Sequence, residues 1–171
     1  DGGGDVAVLC NEESVQRVRM RYINAATGRI GKDILKDVDS NLKVYKEKSK
    51  NVKHADATAK TMDWVEAVCK RYKPDVLVLD MGDKFAKTST TISTHELLKQ
   101  NAIHARQIAK QHECAIFYMS QLAAEAEGRI VLDQSMMEGS KTGKAAEADL
   151  ILLLARNSIK EAGDTDEDPE R

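Results

Sequence analysis

The four apolar residues Val76-Leu77-Val78-Leu79 follow one another without a polar break, end in Asp80, and are preceded by Lys73-Pro74-Asp75. A short unbroken apolar run of this kind reads as a strand buried on both faces, as in a parallel sheet. Val6–Cys10 and Cys114–Met119 have the same character, and Leu150–Leu154 makes a fourth such run. Val52 and its neighbours suggest a further short strand. Between the runs the period changes. Val15, Val18, Tyr22, Ile23 and Ala26 recur at helical spacing, Asn11 is placed to cap the segment, and Gly28 ends it. Residues 29–50 carry sparse apolar anchors in a Lys- and Asp-rich background and predict small surface helices. Thr58–Tyr72 predicts an amphipathic helix that Pro74 stops. Ser93 or Thr94 caps another, lined by Leu97, Leu98, Ala102, Ala105 and Ile108, and a short helix is expected over Lys144–Ala148. The polar stretch 82–94 reads as a loop, and residues 122–141 hold no clear element.

Strands alternating with helices predict an α/β fold: a mostly parallel sheet with helices on both faces. Right-handed crossovers then bring every strand's carboxyl end to one rim, where ligands bind in such sheets. Three polar signals fall on that rim: Asn11-Glu12-Glu13, Asp80, and Ser120-Gln121. Nucleotide hydrolysis needs a carboxylate to hold magnesium, a carboxylate to activate water and a polar group that senses the terminal phosphate. Asp80 suits the first task, Glu12 or Glu13 the second, Gln121 the third. Each also has a plainer reading. The glutamates could complement a helix dipole, Asp80 could end a strand in a turn, and Gln121 could be a surface residue. Residue types alone leave these open.

Composition narrows the setting. The chain has 171 residues, 42% hydrophobic and 32% charged, with only 4% aromatic, so one domain with an aliphatic core is expected. The net charge of −2 excludes a globally basic nucleic-acid binder; any such contact has to be local. Cys10, Cys69 and Cys114 are far apart, form no Cys-x-x-Cys, and read as small core residues of a reducing compartment. No apolar stretch approaches the ~20 residues of a membrane span. His54, His95, His104 and His112 lack metal-ligand spacing and read as surface residues. The acidic segment 158–171 reads as a flexible loop or tail. Gly139-Ser140-Lys141-Thr142-Gly143-Lys144-Ala145 imitates a phosphate-binding P-loop, but its glycines are one residue too close and Ala145 cannot ligate magnesium. Its lysines could still touch phosphates.

Val6-Ala-Val-Leu-Cys-Asn-Glu-Glu-Ser14, Val76-Leu-Val-Leu-Asp80, Tyr118-Met-Ser-Gln-Leu122, and Gly139-Ser140 followed by Glu147-Ala-Asp-Leu-Ile-Leu152 occur in that order. Together they resemble the motor domain of DnaB-like hexameric replicative helicases of the phage helicase–primase type. The resemblance implies a RecA-like P-loop NTPase core over 1–157, incomplete at both ends: the Walker A loop would precede Asp1, and the arginine-finger strands would follow Arg171. The chain would then be an internal piece, inactive by itself, of an ATP-dependent DNA helicase.

By the same resemblance Glu12 is the glutamate that orients the attacking water, with Glu13 its neighbour. Asp80 is the Walker B aspartate, binding ATP through Mg2+, and Gln121 is the switch between nucleotide and DNA. Residues 123–144 would be a central-channel loop, with Arg129, Lys141 and Lys144 on single-stranded DNA. Asp149 and Arg156 fall at recurring positions without a catalytic role. The implied partners are single-stranded DNA, a homo-oligomeric ring (a hexamer), and primase or other replisome proteins, in a bacterial cytoplasm with a phage-encoded origin. The alternatives are a RecA-superfamily recombination ATPase and a RecA-like module that binds DNA or assembles without hydrolysing ATP.

Overall fold

The computed structural model describes residues 3–87, 92–139 and 141–155, with Lys141 described by its backbone alone. The expected tail 158–171, Arg156, and part of the polar loop after residue 87 lie outside the described residues.

Four parallel strands form one sheet: β1 (Val6–Cys10), β2 (Val52–Asp56), β3 (Val76–Asp80) and β4 (Ala115–Tyr118), in the order β2-β1-β3-β4. From β1 the chain moves outward to β2, then returns past β1 to β3 and on to β4. The order therefore reverses between β1 and β3. Right-handed crossovers in opposite directions must lie on opposite faces of the sheet, and the packing agrees. α1 (Val15–Thr27), α2 (Gly31–Lys36) and α3 (Val38–Lys48) join β1 to β2 on one side. α4 (Met62–Tyr72) and α5 (Thr94–His112) cover the other.

Alternation along each strand divides the apolar run between the two faces. Ala7, Leu9, Leu77 and Leu79 meet Met62, Val65, Cys69, Ala105 and Ile108 in the larger core. Val8 and Cys10 meet Val18 of α1, with Val78 and Tyr22 at the margin. Local chemistry sets the helix ends. Ser14 accepts from the Arg17 N–H and caps α1, and Gly28 at φ 68° closes it in the left-handed region that favours glycine. Ser93 caps α5 through the Glu96 N–H. All three cysteines are free and buried, as expected of core residues, and burial raises the Cys10 thiol to about 11.

Several expectations need correction. Asn11 does not cap α1; Ser14 does, and no acid lies in the first turn of α1. Helix-dipole complementation is therefore not what Glu12 and Glu13 provide. The helix expected from Thr58 begins at Met62, because Asp56 accepts from the Thr58 N–H and holds the chain in a turn. The short helix near the C-terminal end is α6, Lys141–Ala145 rather than Lys144–Ala148. The run Leu150–Leu154 forms no strand, and Leu150, Leu152 and Leu154 are exposed. Apolar composition supplies propensity only; a strand also needs a neighbour to bond to. Among the described residues, β4 carries no strand on its side away from β3, and Phe117 and Met119 stand exposed. Among the described residues, too, no helix is long and apolar enough to cross a membrane.

Candidate active site at the sheet rim

β1 and β3 are in register, with Cys10 opposite Asp80, so both strands deliver their last residues to the same level. This is the reversal point of the strand order, and crevices at such points bind ligands in open α/β sheets. The two strand ends are held together by Asn11. Its N–H donates to the Asp80 carbonyl (2.8 Å), its Oδ1 accepts from the Met81 N–H (2.6 Å), and its Nδ2 donates to the Met81 carbonyl (3.0 Å). The side-chain amide thus satisfies the Met81 N–H and shares the Met81 carbonyl with the Lys84 N–H (3.2 Å). Only the fold reveals this role, since the two residues are 70 positions apart.

The two glutamates part company. Glu13 faces α1: Arg21 Nη2 donates to its Oε1 (2.9 Å), and Nη1 makes an ion-pair contact at 2.8 Å with Oε2, outside hydrogen-bond alignment. Glu12 faces the rim. Its Oε1 accepts from Lys84 Nζ (2.6 Å) and, at the limit of hydrogen-bond length, from Gln121 Nε2 (3.5 Å). Three strand ends, those of β1, β3 and β4, therefore bring Glu12, Asp80 and Gln121 to one part of the rim.

Burial raises the Asp80 carboxyl above the usual range, and the nearby charges of Glu12 and Glu13 raise it further, only partly offset by Arg21 and Lys84. Clustered carboxylates with surplus negative charge favour a cation. Among the described residues, no three His, Cys, Asp or Glu side chains are grouped to hold a metal by themselves. Magnesium does not require such a cage; one or two carboxylates, waters and substrate phosphates complete its octahedron. The residues present fit that mode, in which Asp80 would be the protein ligand.

Behind this crevice lies a buried polar cluster that sequence reasoning did not single out. Asp83, in the 3-10 turn Gly82–Lys84, accepts from Tyr118 Oη (3.1 Å), Ser120 Oγ (2.6 Å) and Lys144 Nζ (3.0 Å). Lys144 Nζ also donates to Ser120 Oγ (2.6 Å). The Lys144 side chain is 5% exposed and that of Asp83 12%. Burial, then the Asp83 charge, push the Tyr118 phenol well above its usual value. The expectation that Lys144 contacts DNA is corrected by this geometry: its ammonium is enclosed and committed to Asp83 and Ser120. Gly82 permits the packing, because a Cβ there would lie 2.5–2.6 Å from Tyr118 ring atoms. A carboxylate three residues beyond Asp80 and a lysine before Glu147-Ala-Asp were legible as residues, but not as a pair.

The segment after Gln121 folds back on itself. Leu122 bridges Met137, the Ala123 N–H donates to the Met136 carbonyl (2.7 Å), and the Glu138 N–H to the Gln121 carbonyl (3.1 Å). At the far end Gly128 takes φ 72°, and Arg129, Ile130 and Val131 are exposed. The structure thus places Arg129 on an exposed loop whose base is Gln121. The Lys141 side chain lies outside the described residues.

Among solved structures, a helicase ATPase domain superposes with a TM-score of 0.71 at 15% identity, covering 85% of this chain and 57% of that one. The chain has the fold of a DnaB-like helicase ATPase domain. A DnaB-like replicative helicase, described with its interactions with primase, gives a TM-score of 0.69 at 16% identity over 85% of this chain and 39% of its own. The described α/β architecture is thus RecA-like, as expected, and the chain spans less than two thirds of either structure. No protein-family profile and no curated protein sequence matches it.

Proposed function

We propose that this chain is part of the motor of an ATP-dependent replicative DNA helicase. The observation that carries the proposal is the meeting of Glu12, Asp80 and Gln121 at the reversal point of a sheet with this fold. Asp80 would hold Mg2+, which when bound neutralises phosphate charge as the terminal phosphoryl group leaves ATP. Glu12, the glutamate turned toward the crevice, would accept a proton from and orient the attacking water. Glu13, engaged by Arg21, would position α1 and take no part in the chemistry.

Gln121 supports a link from nucleotide to DNA. Its side chain reaches Glu12 while its carbonyl ties down the base of the 122–138 loop. A change at the crevice that moves Gln121 has to move that loop. Arg129 at its tip, with Lys141 near its end, would meet single-stranded DNA. The remaining nucleotide-binding groups would come from outside these residues, including from a neighbouring subunit in a hexameric ring. Single-stranded DNA, further copies of the protein and primase are the proposed partners, in the cytoplasm of a bacterial cell with a phage-encoded origin.

The test is Glu12→Gln in the full-length protein, assayed for DNA-stimulated ATP turnover and nucleotide binding. Loss of a general base removes about 10²–10⁴ of rate, so turnover should fall by at least about a hundredfold while nucleotide binding persists. Turnover at the unsubstituted rate would refute the assignment.

A further inference from the structure

The opposite edge of the sheet has a second feature. Among the described residues β2 is an edge strand, bonded only to β1. Because the Val6 N–H donates to the Asn51 carbonyl and the Ala57 N–H to the Cys10 carbonyl, the odd-numbered residues along β2 bond inward. In a parallel ladder the alternate residue then turns both its backbone groups outward. His54 is that residue, at the middle of β2.

A groove of about 880 Å³ surrounds this edge on both faces. On one side Val52 and His54 look toward Leu42 and Tyr45; on the other Lys53 and Ala55 look toward Val68 and Tyr72. The cations lining it are Arg19, Lys46, Lys50, Lys53 and Arg71, and among the described residues no aspartate or glutamate lines it. Among the described residues, none of these five has a carboxylate within ion-pair distance. The His54 ring is packed edge-on against Tyr22, with both nitrogens buried and, among the described residues, without a partner.

We infer that the groove along β2 is a docking site for an extended acidic polypeptide segment, which adds a strand to the sheet through His54. Backbone pairing at an exposed edge supplies affinity, and alternate side chains entering the two halves of the groove supply selectivity. Acidic residues at the flanks would meet the unpaired lysines and arginines, and apolar ones the aliphatic floor. Charge selects the occupant. A second copy of this edge would bring the same uncompensated lysines and arginines against them, and like charge is one way edge strands discourage self-pairing. A nucleic-acid strand is also anionic, but it needs open aromatic faces for its bases. Here Lys53 Nζ and the Arg71 guanidinium each stand 5.3 Å from the Tyr72 ring centre, and Lys60 Nζ stands 5.8 Å from that of Trp64. The site is separate from the rim crevice and does not depend on the nucleotide reading.

The experiment titrates the 171-residue chain into a fluorescent peptide of alternating glutamate and valine, followed by anisotropy. Two controls accompany it: the same peptide with a central proline, which lacks one N–H donor, and oligo-dT of matched charge. Saturable binding is expected, with slowed hydrogen exchange at the His54 amide. The affinity should fall by at least about tenfold, or about 1.4 kcal/mol, for the proline peptide and for Lys50→Glu/Lys53→Glu protein of unchanged circular dichroism. The proline control and the exchange measurement use unsubstituted protein, so a variant that fails to fold does not remove the test. Absence of saturable binding overturns the proposal. Equal binding of the proline peptide overturns strand addition, and tighter binding of oligo-dT that displaces the peptide makes the groove a nucleic-acid site instead.

Discussion

Removing the Lys144 ammonium should destabilise the protein severely, and removing both members of its ion pair should not. Lys144→Met leaves the Asp83 carboxylate, 12% exposed, with Tyr118 and Ser120 as donors but no counter-charge. Breaking a buried pair from one side costs about 3–5 kcal/mol, whereas replacing both charges with groups of similar volume is often neutral. Asp83→Asn should cost a similar amount, because it strands the ammonium 3.0 Å from a neutral amide. The double variant Lys144→Met/Asp83→Asn should recover at least about 2 kcal/mol relative to the sum of the single losses, a coupling within the range for contacting residues. Single-domain stabilities of about 5–15 kcal/mol make the single losses large but measurable. The assay is urea unfolding followed by circular dichroism, with midpoints compared at constant slope. Single losses below about 1 kcal/mol, or strict additivity in the double variant, would refute the reading of Lys144 as a buried structural cation. It would then be free for phosphate.

Asn11→Ala should cost about 1–3 kcal/mol, since it strands the Met81 N–H, whose acceptor is the Asn11 side chain; an unchanged urea midpoint would count against that clamp. Gly82→Ala should cost about 1–3 kcal/mol by forcing a methyl group into the Tyr118 ring, and a melting temperature equal to the parent's would show that the ring moves aside. For Asp80 the folded pKa lies above the unfolded one. The penalty is absent below the unfolded pKa, grows as pH rises toward the folded pKa, and is complete above it. Asp80→Asn should therefore raise ligand-free stability at neutral pH, by an amount that solvent screening keeps small. It should lose that advantage at low pH and abolish stabilisation by Mg2+, and a variant still stabilised by Mg2+ would remove Asp80 from the metal site. Arg129→Ala in the full-length protein should weaken single-strand binding and lower its salt slope by about one unit; identical salt titrations would take the loop tip out of the DNA path.

The runs Val6–Cys10 and Val76–Asp80 needed no tertiary information, because unbroken aliphatic sequence of strand length has few other uses in an α/β chain. The same holds for the faces of α1 and α5 and for the expectation that Glu12, Asp80 and Gln121 share a rim. That expectation follows from strand direction alone, since parallel strands must end together. The order of residues was therefore enough to place the four paired strands, the main helices and the side of the molecule on which chemistry belongs. It did not separate Glu12 from Glu13, whose neighbours in the chain are nearly equivalent; only the position of Arg21 on α1 and of Gln121, 109 residues away, turned them apart. Nor did it show that Asn11 clamps Met81 rather than capping a helix, that Lys144 is sealed against Asp83, or that Leu150–Leu154 lies unpaired. The physical reason is common to all four. Periodicity and capping are read within a few residues, while the partner of a side chain or of a strand edge is chosen by groups that only the folded chain brings close.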